Sequence, residues 1–144
     1  MKRVLLPGMA LLLAGCVAPP ERVPLQPLPE NGQVLPYPEL LTRVRAQASA
    51  ANEAFYVNRW TDLEDLAKGL DQTARFLSKA QEVPAKNKDT LKEVTDDLAK
   101  NARKLKAAAA AQIAKDGNEA QNVKDANEAL QQINLKVRML RLTD

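Results

Sequence analysis

Beyond Pro38 the nonpolar residues fall at steps of three and four. Leu40, Val44, Ala48, Ala51 and Phe55 form one stripe, and Trp60, Leu63, Ala67, Leu70, Ala74 and Leu77 form a second. That spacing keeps side chains on one face of an α-helix. The stripes do not join: Phe55 to Trp60 is a step of five, and extending the first stripe would bury Asn58 and Asp62. A turn over residues 57–61 repairs the register, and Thr61 with Glu64 has the form of a capping box for the helix that follows. A third stripe runs through Leu91, Val94, Leu98, Ala102, Leu105, Ala109 and Gln112 or Ile113, behind Pro84 and a second such box at Thr90 and Glu93. The fourth is Val123, Ala126, Leu130, Ile133, Val137 and Leu140, separated from the third by the stop-and-start signals Asp116, Gly117 and Asn118. The pattern predicts an all-α, antiparallel up-down-up-down four-helix bundle over residues 38–144, with a three-helix arrangement, the first two helices fused, as the alternative.

Upstream the pattern changes. Seven prolines lie between Val17 and Pro38 with no helical or strand period, and proline favours an extended polyproline II backbone rising about 3.1 Å per residue. Residues 16–37 therefore read as a tether. Residues 1–15 begin with Lys2 and Arg3, continue in an apolar run of about eleven residues and end in small residues. This is the form of a secretory signal peptide, and the run is well short of the roughly twenty residues a membrane-spanning helix needs. Leu13, Ala14, Gly15 and Cys16 resemble the lipobox of bacterial lipoprotein precursors. The resemblance implies cleavage before Cys16, diacylglycerol on its sulfur and a further acyl chain, such as palmitate, on its new amino group. Two or more chains anchor stably where one does not. Val17, in place of aspartate after the cysteine, implies sorting to the outer membrane, with the chain facing the periplasm.

Composition narrows the chemistry. The chain has 144 residues, 45% hydrophobic and 27% charged, enough for one ordinary domain. It has no histidine, and Cys16 is its single cysteine, which excludes histidine-based triads, CxxC redox pairs, zinc fingers and any disulfide within the chain. Ser49 and Ser78 are the only serines, and neither has a histidine to activate it. Losing Lys2 and Arg3 with the signal takes the cations from 21 to 19 against 18 acids. That balance, with export, argues against a nucleic-acid partner.

The helical part resembles the four-helix class of c-type cytochromes, cytochrome c prime, through Trp60, Thr61, Asp62 and Leu63 and through residues 126–138. Where that family carries CxxCH, this chain has Ile133, Asn134, Leu135, Lys136 and Val137, so the resemblance implies a haem-free relative with the same bundle. Met139 is the only methionine left after the signal, and core filling or partial exposure is the preferred reading of it over haem ligation.

Three further features are candidates for function. Acids recur on the third helix at Asp89, Glu93, Asp96 and Asp97, with Asp89, Glu93 and either Asp96 or Asp97 on one face, and read as a solvated face in preference to a calcium or magnesium site. Lys100, Arg103, Lys104 and Lys106 read as the basic end that complements the helix dipole, with contact to anionic headgroups or cell-wall polymer as the alternative, and Asp96 is placed to pair with Lys100. The alanine run at 107–111 implies close helix approach, or else a small apolar pocket. Phe55, Tyr56 and Trp60 are expected to plug one end of the bundle.

Together these features lead us to expect a non-enzymatic, lipid-anchored envelope protein that acts as an interaction or structural module. Cys16 is its lipid attachment site, the membrane and an envelope protein or cell-wall component are its partners, and no catalytic, metal or cofactor site is expected. A haem-free, cytochrome-like carrier of a small ligand is the alternative.

Overall fold

The computed structural model describes residues 27–28 and 34–141. The signal segment, Cys16 and most of the proline-rich segment lie outside the described residues. Among those described, the chain forms four α-helices: α1 (Tyr37–Tyr56), α2 (Trp60–Leu77), α3 (Lys88–Ala114) and α4 (Glu119–Arg141), with one 3-10 turn, Ala85–Asn87, leading into α3. Each helix packs on its neighbour in sequence and α1 closes the ring against α4, so the architecture is the expected four-helix bundle with α1 and α2 separate. The α1–α4 seam is the thinnest of the four.

The stripes face inward. Leu40, Val44, Ala51, Leu63, Ala67, Leu70, Leu98, Leu105, Ala126 and Ile133 are completely or almost completely buried. Where the third stripe ends and the fourth begins the seam does not close: Ile113 is 44% exposed, Gln112 donates to Glu119 at 3.1 Å, and Val123 is half-buried outside the core cluster.

Two helix ends share one device. After α1 the amide of Arg59 donates to Ala54 O (2.8 Å) and that of Asn58 to Phe55 O (3.1 Å), with Asn58 at φ 57°. After α3, Asp116 donates to Ala111 O (2.9 Å) and Lys115 to Gln112 O (3.3 Å), with Lys115 at φ 53°. Both are Schellman closures, which satisfy the last carbonyls through one residue in the left-handed region. Asn118 then caps α4, its Oδ1 accepting from the amides of Ala120 (2.9 Å) and Gln121 (3.4 Å).

The two expected capping boxes do not form. Closure of α1 leaves only Arg59 before α2 starts at Trp60, which puts Thr61 inside the helix, and neither α2 nor α3 has a side-chain cap. Glu64 pairs instead with Lys68 at 3.1 Å. At α3 the 3-10 turn already curls the chain from Ala85, so Thr90 falls in the helix and Glu93 stays exposed.

The distal part of the tether region is laid on the bundle. The Gln72 carboxamide brackets Leu28, accepting from its amide (2.9 Å) and donating to its carbonyl (2.8 Å), and the Leu28 side chain is buried. Further on, Gln81 donates its amide to Leu35 O (3.3 Å) and accepts from the Tyr37 amide (2.9 Å).

Candidate functional site

Cys16 lies outside the described residues, so lipid attachment is not placed by the geometry. The alanine run divides. Ala109 is fully buried in the core, whereas Ala107, Ala111 and the edge of the nearly buried Ala108 line an open groove of about 650 Å³ between α3 and α4. Its rim mixes Lys104 with Asp125 and Glu128 and with the carboxamides of Asn101, Asn122 and Gln132. Charges of both signs leave this groove with no preference for an ionic ligand.

The charged faces of α3 are tied down by its neighbours. Asp97 accepts from Lys136 of α4 at 2.5 Å, and this bond, with the attraction of the ammonium, holds the Asp97 carboxyl below its usual range. Asp96 pairs with Lys92 at 2.8 Å, the residue one turn before it, and not with Lys100. The side-chain hydrogen bond raises Lys92. In the basic group Arg103 reaches across to Asp71 of α2 at 2.9 Å, where Arg75 also binds. Among the described residues no three histidine, cysteine, aspartate or glutamate side chains come together as a metal site. At the α1–α2 turn, Phe55 meets Tyr56 and Trp60 edge-on at 5.8 and 5.7 Å, but Tyr56 is 77% exposed, so Phe55 and Trp60 alone close that end.

The second large groove, about 660 Å³, follows the thin α1–α4 seam. Asn52 and Asn134 form its floor, each carboxamide donating to the other at 3.0 Å, and Asn52 also donates to Ala48 O at 2.8 Å. Thr42, Ser49, Arg45 and Arg138 stand along its walls, and no carboxylate lines it. Neither Arg45 nor Arg138 has an ion-pair partner among the described residues, in contrast to Arg59, Arg75 and Arg103. The nonpolar stripes gave no hint of this groove. Its signal was local: no acid stands three or four residues from Arg45 or Arg138 on either side, so neither can find a partner on its own helix.

No family model, curated protein or solved structure matches the chain. Among the described residues no helix is long and apolar enough to cross a membrane.

Proposed function

We propose that this chain is a lipid-anchored protein of the bacterial envelope, attached to the outer membrane through Cys16, facing the periplasm, and acting as a non-enzymatic interaction or structural module. The observation that carries this reading is the sequence Leu13, Ala14, Gly15, Cys16 behind a short cationic and apolar leader and ahead of a proline-rich segment. The closed bundle supports the module half of the reading. Its interior is occupied by leucine, isoleucine and alanine side chains, and its large grooves lie on the outside, lined by amides, hydroxyls and charges. A carrier would use those grooves.

Mass spectrometry of the chain extracted from membranes tests the anchor. The expected product begins at Cys16 and carries diacylglycerol plus an amide-linked acyl chain, while Cys16→Ser remains unprocessed. An unmodified Cys16 on the exported chain would overturn the reading. Crosslinking the acylated chain in cells and recovering its neighbours tests the module. Recovery of an envelope protein or wall fragment supports it, and no neighbour under several growth conditions argues against it.

A further inference from the structure

The α1–α4 groove and the exposed surface of α4 beside it carry two independent features. The first is the groove's donor set. Arg45 and Arg138 present guanidinium groups without ionic partners among the described residues, and Ser49 adds a hydroxyl. Asn134 uses one N–H on Asn52 and keeps the other. The acids of α1 do not line the groove: Glu53 is engaged by Arg59 at 3.7 Å, and Glu39 acts on Arg43. A pocket of donors and fixed positive charge with no carboxylate selects an anion, and guanidinium groups match phosphate oxygens in a planar, two-point fashion.

The second is apolar. Leu135 and Met139 flank Arg138 on α4 and are 47% and 40% exposed. Residues 131–141 carry Lys136, Arg138 and Arg141 and no acid. Lys136 is spent on Asp97, which leaves Arg138 and Arg141 beside exposed nonpolar side chains. Cations interleaved with exposed apolar residues on one helix are the features of an interfacial helix face, and a soluble phosphate would have no use for Leu135 and Met139.

We infer that the α1–α4 face rests on a bilayer, with the groove around Arg45 and Arg138 receiving the phosphate of an anionic phospholipid headgroup. This deepens the lipid-anchored reading and rests on it for the presence of a membrane. The described chain reaches α1 through Leu35 and Pro36, and Thr42 begins the groove five residues into the helix. From Leu28, held on α2 by Gln72, the twelve residues back to Cys16 span up to about 40 Å, enough for the bundle to turn this face to the lipid.

The test uses the mature chain, residues 16–144 carrying Cys16→Ser and without the cationic, apolar leader, so that binding depends on neither acylation nor the signal segment, with vesicles of phosphatidylglycerol mixed into phosphatidylcholine and vesicles of phosphatidylcholine alone. We expect sedimentation with the anionic vesicles only, weakening as salt is raised. Arg45→Gln with Arg138→Gln should lower the partition coefficient roughly twenty-five-fold, the product of about fivefold for each cation near an anionic surface. Leu135→Ser with Met139→Ser should weaken binding at every salt concentration, and Lys115→Gln, at the opposite end, should leave it unchanged. All these positions are exposed, and far-ultraviolet dichroism confirms that each variant is folded. Equal binding by the double arginine variant would overturn the inference. So would saturation of the groove by inorganic phosphate where vesicles do not bind, which would make the ligand a free phosphate. An unacylated Cys16 in the cell together with selective binding here would remove the anchor and leave the groove standing.

Discussion

The Tyr37 hydroxyl donates to the main-chain carbonyl of Leu140 at 2.8 Å, joining the first residue of α1 to the penultimate residue of α4. The same oxygen accepts from Asn87 Nδ2 at 3.0 Å, so one buried phenol ties together α1, α4 and the entrance to α3. Tyr37→Phe keeps the ring and removes both bonds. It should destabilise the bundle by about 1–3 kcal/mol, because two buried polar groups lose a partner. Urea unfolding measures the loss, and hydrogen exchange should show it concentrated in the last turn of α4. An unchanged midpoint would mean that the hydroxyl contributes nothing net.

Gly69 of α2 faces Gln47 of α1. A Cβ there would stand 2.8 Å from Gln47 Nε2, and Gln47 is only 2% exposed, so its amide must move within the packed interior. Gly69→Ala gains about 1 kcal/mol of helix propensity but overpacks a filled seam, which typically costs about 1–3 kcal/mol. A net loss of about 1 kcal/mol is expected. Adding Gln47→Ala should recover much of it, since it makes room and also removes Oε1, which has no hydrogen-bond partner among the described residues. A double-mutant cycle by chemical denaturation reads the coupling, and strict additivity would contradict the proposed clash.

Lys115 marks where local reading of the sequence stopped. The stop between α3 and α4 was legible from Asp116, Gly117 and Asn118, and Asn118 does cap α4. Yet the residue that closes α3 in the left-handed region is Lys115, with Gly117 (φ 74°) two residues further on. The stripes themselves were legible because burial follows the 3.6-residue period. The capping boxes were misread because caps depend on where the preceding element ends, which is a tertiary matter. Tyr37 could not be recognised as a core residue, since its partner lies 103 residues away. Lys115→Gly should stabilise the protein by about 1 kcal/mol, the penalty a Cβ pays in this conformation. Thermal unfolding measures it, and destabilisation would show that the Lys115 side chain has a compensating role.

Asp97 and Lys136 couple α3 to α4, and their effect has a pH sign. The folded carboxyl titrates below its unfolded value of about 3.9. Its stabilising contribution is therefore complete above that value and is lost as pH falls through the lower folded value. The Asp97 side chain is 40% exposed, so solvent screening keeps the contribution to a few tenths of a kcal/mol. Asp97→Asn should remove it, making the decline in stability below about pH 4 shallower than in the parent. Denaturation across that range tests the slope, and parallel curves would mean that the pair is energetically silent.

Leu28 makes the tether region part of the fold. Gln72 satisfies its main-chain amide and carbonyl together, which lets an apolar side chain be buried without leaving polar groups unpaired. Gln72→Ala should free both groups at a cost of about 1–2 kcal/mol. Because the helices do not depend on this contact, the loss should be local: faster exchange at the Leu28 amide and faster proteolytic nicking near it, with α2 and α3 still protected. For the proposed anchor the latch sets a length. From Cys16 to Leu28 is twelve residues, a reach of at most about 40 Å. Releasing Leu28 adds the residues up to Leu35, so Gln72→Ala should let the bundle sit farther from the lipid. Energy transfer from a dye on the exposed Lys115 end to a labelled bilayer reads that change, and an unaltered distance together with unaltered Leu28 exchange would show that the latch does not govern it.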